Sequence, residues 1–373
     1  MNIRSKAIVA VAAVALFATT SLPAFAADAP VYVEALAPGA SLQVLATSGD
    51  VVNGYQLAGI PDGTGAFKSG ASVKVLMNHE IGYSTTAATL SRAGGDAAGA
   101  TITEFTMNPT TQKLTNAREF LTSALFYNYA TKTYSSIPGA PVGASEKDSY
   151  GTPQHTKFLN RFCSASLAPA GRFSYVDPKT KKAYGIKDAV FLTGEEGGDE
   201  SRGFAVNPAG QLVQIPGFGL ASWETFVAVP TATKTTALIG NEDGGATGSQ
   251  VWLYQGSKSA TGSWFERAGL TNGKSYVMNI GGFTTEADFR AKVGKGKETA
   301  VTFAKVDTSV NGVEQNKAAL TVGTALARVE DGAFDPNDPR NYYFVTTESN
   351  GDKAATTLDP SNKLVTKRDG GAL

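Results

Sequence analysis

Short apolar runs, bounded by glycine, proline or Asx residues, recur along most of this chain. Their length and their content of Val, Leu, Phe and Tyr are typical of β-strands. We predict strands at Leu42–Leu45, Val73–Met77, Ala189–Leu192, Leu238–Gly240, Val251–Tyr254, Val301–Lys305 and Tyr342–Thr346. The pattern therefore indicates an all-β fold.

Asp-Pro or Asn-Pro follows an apolar strand four times, with a weaker fifth copy. The Asx side chain caps the local backbone and proline fixes φ, so each copy predicts a hairpin corner. The corners are Asn108-Pro109, Asp177-Pro178, Asn207-Pro208, Asp335-Pro336 and the weaker Asp359-Pro360. Hairpins with long, unequal insertions favour a β-propeller whose loops carry the function, with a β-sandwich as the alternative.

Helices are few in this pattern, and one or two short ones are expected. The clearest begins after Thr285, which can cap it with Asp288 three residues on, and ends at Gly294. The stretch 127–150 is rich in Ser, Gly, Pro and Lys, which predicts a long surface loop. Nothing divides the chain cleanly, so residues 27–373 are predicted to form a single domain.

The first 26 residues have the anatomy of a secretory signal peptide. Arg4 and Lys6 precede an apolar run at 7–17, and Ala24-Phe25-Ala26 forms a small-x-small cleavage site. The apolar run is too short for a membrane anchor. We therefore expect a mature chain in the periplasm or outside the cell, without a stable membrane anchor.

Charge and motifs exclude several classes of function. Lys+Arg and Asp+Glu are 33 each, so a basic nucleic-acid footprint spread over the chain is excluded. Two histidines argue against a His-rich zinc site. The sequence has neither a Gly-x-Ser-x-Gly elbow nor a phosphate-binding Gly-x-x-x-x-Gly-Lys-Ser/Thr loop.

Carboxylates concentrate beside glycines near the ends of apolar strands. Neighbouring carboxylates repel one another unless water, a cation or arginine intervenes, and Ca²⁺ binds six to eight oxygens of this kind. The candidate metal ligands are Glu195, Glu196, Glu224, Glu242, Asp243, Glu330 and Asp331. Solvated acidic loops are the alternative for any single cluster.

Cys163 is the only cysteine, so it has no partner for an internal disulfide. Buried free cysteines are common, and this makes a small buried hydrophobe the simpler interpretation of Cys163. A metal ligand is the other.

The same acidic segments resemble the PhoX-type alkaline phosphatase family. The likeness spans roughly residues 70 to 350, in this order along the chain: Asn78-His79-Glu80, Asn160-Arg161-Phe162-Cys163, Leu192-Thr193-Gly194-Glu195-Glu196, Trp223-Glu224, Gly240-Asn241-Glu242-Asp243 and Arg328-Val329-Glu330-Asp331-Gly332. Members of that family are longer, which leaves open whether a last blade is absent here.

The resemblance implies a secreted propeller that hydrolyses phosphate monoesters with calcium and iron. It makes Cys163 and Glu196 ligands of the metal cluster, Glu224 an iron ligand and Glu330 a calcium ligand. Arg328 would hold the phosphoryl group, and Asn78 would face the substrate, a small phosphate ester. With this resemblance, a ligand role for Cys163 becomes the favoured interpretation.

We therefore expect a monomeric, secreted, metal-dependent phosphomonoesterase. A non-catalytic calcium-binding propeller shares every acidic cluster but needs neither Arg328 nor Cys163. A phosphodiesterase or phytase on a similar scaffold is a third possibility, since the sequence does not reveal the size of the pocket.

Overall fold

A computed structural model describes residues 35–83, 90–92, 95–97, 99–245 and 248–347. The predicted signal peptide and the corner at Asp359-Pro360 lie outside these ranges. Strands dominate the described part of the chain, as the sequence predicts. None of its helices is long and apolar enough to cross a membrane.

The strands are, in chain order, β1 Val51–Val52, β2 Tyr55–Gln56, β3 Pro61–Ser69, β4 Ser72–His79, β5 Leu90–Arg92, β6 Gly95–Ala97, β7 Thr101–Asn108, β8 Lys113–Glu119, β9 Ser123–Asn128, β10 Thr133–Ser135, β11 Phe162–Ala168, β12 Ser174–Val176, β13 Ala183–Gly185, β14 Val190–Glu195, β15 Gly203–Val206, β16 Gln211–Gln214, β17 Trp223–Ala228, β18 Thr235–Glu242, β19 Val251–Ser257, β20 Lys274–Ile280, β21 Val301–Val306, β22 Val329–Phe334 and β23 Tyr342–Thr346. The helices are α1 Trp264–Arg267, α2 Glu286–Val293 and α3 Gly312–Val322, with a 3₁₀ turn at Pro216–Phe218.

Four sheets, here called blades 1 to 4, follow one another along the chain. Their strand orders, from the inner strand outwards, are β3-β4-β7-β8, β11-β14-β15-β16-β9-β10, β17-β18-β19-β20-β21 and β22-β23. Pairing is antiparallel except between β16 and β9. The inner strands β3, β11, β17 and β22 contact one another in that order. The arrangement is therefore all-β and propeller-like, as predicted.

Apolar side chains fill the spaces between successive blades. Leu76, Phe162 and Phe204 belong to the core between blades 1 and 2. The core between blades 2 and 3 contains Leu192 and Trp223. A smaller core joins blades 3 and 4. Because β11 and β17 each have a neighbouring inner strand on both sides, packing fixes their position at the centre.

The four described hairpin corners are confirmed. In each, the Asx side chain accepts backbone N–H groups from residues two or three positions ahead: Asn108 from Thr110 and Thr111, Asp177 from Lys179 and Thr180, Asn207 from Ala209, and Asp335 from Asn337. These hydrogen bonds stabilise the turn that joins each pair of strands.

The helix after Thr285 is confirmed as α2, since the Thr285 hydroxyl accepts the Asp288 N–H and Gly294 follows the last turn. Other predictions were wrong. Residues 42–45 form no strand, and 127–150 is not one loop, because β10 pairs with β9 inside it. α1 and α3 were missed; α3 begins at an Asn311 cap and carries little apolar periodicity in its sequence.

Replacing the buried Leu192 tests the packing between the blades. Leu192→Ala should lower the free energy of unfolding by about 2–5 kcal/mol, because it leaves a cavity beneath β14. Leu42→Ala is the matched control, since Leu42 is 47% exposed and Leu192 is 0% exposed. Denaturant titration measures both; equal losses would contradict the packing described here.

Candidate metal centre

All four blades begin with the same structural unit. The first residue of each inner strand pairs with a residue at the end of the second strand, and the register then shifts. The pairs are Pro61 with His79, Phe162 with Glu195, Trp223 with Glu242 and Val329 with Thr346. Such a bulge adds an unpaired residue and redirects its side chain.

The residue just after each of these pairs carries a potential metal ligand. These residues are Asp62, Cys163, Glu224 and Glu330. A backbone bond closes each unit: the residue after the second strand donates its N–H to the carbonyl before the inner strand, in the pairs Glu80 to Ile60, Glu196 to Arg161, Asp243 to Ser222 and Thr347 to Arg328. Three of these closing residues, Glu80, Glu196 and Asp243, are also acidic.

These side chains converge where the inner strands meet. Three overlapping groups each bring their potential ligand atoms within 4.8 Å of one another: Asp62, Glu80 and Cys163; Cys163, Glu196 and Glu224; and Glu224, Asp243 and Glu330. Cys163 and Glu224 each belong to two groups. We call the seven residues the acidic centre.

Burial and repulsion disfavour negative charge in the acidic centre. Burial, reinforced by Glu330, raises the pKa of Glu224 to about 9. Burial raises the pKa of Glu196 to about 7 although Arg161 opposes it. Burial and the charge of Glu224 raise the pKa of the Cys163 thiol, whose sulfur lies 3.4 Å from Glu224 Oε1. Without cations Cys163 and Glu224 keep their protons at neutral pH; cations would replace those protons, so the donors fit a multi-metal site.

Two arginines lie at the edge of the acidic centre. Arg161 Nη2 is 2.6 Å from both Glu80 Oε1 and Glu196 Oε2. Arg328 Nη2 is 2.7 Å from Asp243 Oδ2 and 3.1 Å from Glu330 Oε1. Each guanidinium therefore neutralises two carboxylates and remains partly exposed.

Two predicted ligands point elsewhere. Glu195 receives bonds from the buried Arg202, 2.7 Å from Nη2 to Oε1 and 2.8 Å from Nε to Oε2. Glu242 accepts the indole N–H of Trp252 at 2.7 Å, and burial raises its pKa to about 8. Neither belongs to the three groups, and alternation along the strand explains this: each faces the blade core while its successor faces the centre.

Asp331 and Asn78 border the centre without joining the three groups. Asp331 accepts the Ser164 hydroxyl and lines a cleft of about 720 Å³ between blades 1 and 4, together with Asp62. Asn78 is fully buried, and its amide donates to the Cys163 carbonyl and to Thr193 Oγ1, both at 2.8 Å. Asn78 thus holds the backbone of Cys163 in place through this hydrogen bond.

Sequence reasoning missed Asp62, Glu80 and Arg161 as site residues. Glu80 and Arg161 lie inside segments that it singled out, but Asp62 stands between Pro61 and Gly63 without any acidic neighbour. The signal that could have found Asp62 is an apolar residue followed by a ligand at the start of an inner strand. Pro61-Asp62 shares it with Phe162-Cys163, Trp223-Glu224 and Val329-Glu330.

No family model and no curated protein matches the sequence. Among solved structures, PhoX of Pseudomonas fluorescens in complex with vanadate, a transition state analogue, is 11% identical with a TM-score of 0.48, over 78% of this chain and 58% of that one. A glycoside hydrolase described as putative from Parabacteroides distasonis is 7% identical over 78% and 84%, with a TM-score of 0.26. A glycosyl hydrolase from Bacteroides ovatus is 9% identical over 68% and 86%, with a TM-score of 0.20. At these values none of them assigns this chain to a family.

The metal-free protein should lose stability as pH rises. The pKa of Glu224 is higher in the folded chain than its usual 4.5, so folding binds protons and the stabilisation is complete only below about pH 4.5. It is lost as pH rises towards 9, at up to about 1.4 kcal/mol per pH unit for this group. Unfolding in EDTA should show this slope, and Glu224→Gln should flatten it. A wild-type slope of zero would contradict the pKa shift.

Substitutions at the adjacent carboxylates Glu195 and Glu196 should distinguish a structural role from a metal-binding role. Glu195→Gln leaves the buried Arg202 without its counter-ion, so the free energy of unfolding should fall by about 3–5 kcal/mol with metal content unchanged. Glu196→Gln should weaken metal binding without destabilising the metal-free chain. Elemental analysis and denaturant titration measure both; the reverse pattern would place Glu195 in the centre.

Proposed function

We propose that this chain is a metal-dependent phosphomonoesterase that uses calcium and iron. The observation that carries the proposal is the convergence of six carboxylates and one thiol from four blades in overlapping groups around Cys163 and Glu224. So dense a set of acids would repel a phosphate ester unless several cations neutralised it. The resemblance in sequence motifs supports the same activity.

The donor atoms favour two kinds of cation. A thiolate suits iron better than calcium, so the group of Cys163, Glu196 and Glu224 fits iron. Carboxylate oxygens suit calcium, which fits Glu224, Asp243 and Glu330. Glu224 belongs to both groups and would be available as a ligand to either kind of ion.

When bound, the cations would neutralise the phosphoryl oxygens and activate a nucleophile for in-line attack. Arg328 would bind the phosphoryl group, because a guanidinium fork matches two phosphate oxygens. Its side chain is 40% exposed, and Asp243 and Glu330 hold it at the edge of the centre. Asn78 would keep the Cys163 backbone in place.

We also propose that the substrate is a small phosphate ester and that the monomeric chain acts outside the cytoplasm. The cleft beside Asp62 and Asp331, about 720 Å³, is large enough for such a molecule. The pattern of residues 1–26 supports export.

Turnover of p-nitrophenyl phosphate tests this proposal. The mature chain loaded with calcium and iron should hydrolyse the ester, and chelation followed by reloading should abolish and restore the rate. Cys163→Ser should lose iron while it retains calcium, because calcium does not need sulfur. Its rate should fall by more than the roughly 10- to 100-fold typical of losing an outer-shell partner.

Loaded protein that binds calcium without iron and hydrolyses nothing would contradict the proposal and support the non-catalytic calcium-binding propeller. Cys163→Ser with unchanged iron and rate would return Cys163 to a packing role.

A further inference from the structure

Arg161 and Arg328 occupy equivalent positions in the repeated unit of blades 2 and 4. Each stands two residues before the inner-strand ligand, Cys163 or Glu330, and each backbone carbonyl accepts the bond that closes its unit. The residue after each arginine, Phe162 or Val329, is fully buried. The two side chains therefore project from structurally equivalent backbone positions in two different blades.

The backbone at both arginines is left-handed, with φ of 46° at Arg161 and 56° at Arg328. Ile60, at the same position in blade 1, has φ of 48°. The conformation is therefore shared by blades 1, 2 and 4 and does not depend on arginine, whereas Ser222 in blade 3 does not adopt it. What distinguishes blades 2 and 4 is the positive charge that they place there, whereas blades 1 and 3 carry Ile60 and Ser222.

The surroundings of the two guanidiniums also match. Arg161 pairs with Glu80 and Glu196, and its side chain is 37% exposed, close to the 40% of Arg328. Glu196 pairs directly with Arg161, and its charge also acts on Arg328. Both arginines therefore border the same acidic centre and reach solvent there.

We propose that Arg161 is a second anion-binding residue, which holds the phosphoryl group together with Arg328. This inference rests on the proposed function. The carboxylates that now hold the two guanidiniums, Glu80, Glu196, Asp243 and Glu330, are all members of the acidic centre. When these carboxylates bind cations instead, both guanidiniums become free to donate hydrogen bonds to phosphate oxygens.

A purely structural role would make Arg161 a counter-ion for Glu80 and Glu196 and nothing more. Its removal would then change metal affinity or stability, but not the affinity of the metal-loaded protein for phosphate. The two roles therefore predict different results in a binding measurement that does not depend on turnover.

The experiment measures the dissociation constant of inorganic phosphate by calorimetry, on chains saturated with calcium and iron, with metal per chain and thermal unfolding recorded for each. Arg161→Met should weaken phosphate binding by about 10- to 100-fold at full metal content, since it removes charge-assisted hydrogen bonds. Arg161→Lys should fall between, because it keeps the charge but loses the fork. Arg340→Met is the matched control: Arg340 is 87% exposed and pairs with Asp338 at a hairpin corner.

Arg161→Met and Arg328→Met should also couple, so that the double variant loses less affinity than the product of the two single effects. Unchanged phosphate binding in Arg161→Met at full metal content would overturn the inference, as would a loss that only follows lost metal. If the metal-loaded wild-type chain binds no phosphate, the proposed function fails first; if it binds phosphate and Arg161→Met binds equally well, this inference alone fails.

Discussion

The burial of neighbouring acids at the meeting point of the inner strands is the constraint on which this structure depends. The Cys163 sulfur lies 3.4 Å from a Glu224 oxygen, and both groups have raised pKa values because they are buried beside further acids. Such a site lowers the stability of the fold unless protons, arginines or cations compensate its negative charge. Arg161 and Arg328 compensate the edge of the centre, but its interior has no positive side chain among the described contacts.

Packing between blades makes this concentration of charge tolerable. Phe162, Trp223 and Val329 are fully buried directly beside Cys163, Glu224 and Glu330, so the inner strands are anchored by apolar contacts. The bulge after each of these residues then turns the next side chain towards the centre. A charged cluster thus rests on four repeats of one bulged hairpin, and the repeats differ mainly in the ligand that each presents.

Much of this could be predicted locally. Asx-Pro corners and the Thr285 cap are decided by residues within a few positions, and the acidic segments identified Glu196, Glu224, Asp243 and Glu330. The face on which each carboxylate lies is set by pairing between strands, which local pattern does not show. Glu195 and Glu196 are neighbours in sequence, yet one pairs with Arg202 and the other faces the centre. Asp62 was not predicted because its partners in the acidic centre are distant in the sequence. The nearest of them, Glu80, is 18 residues away.

Anomalous X-ray scattering from crystals of the protein grown with calcium and iron tests the central claim most directly. The account predicts an iron peak within bonding distance of Cys163 Sγ and a Glu224 oxygen, about 2–2.5 Å, with calcium among the remaining carboxylates. A centre without metal peaks under these conditions, with the Cys163 thiol still hydrogen-bonded to Glu224, would contradict it.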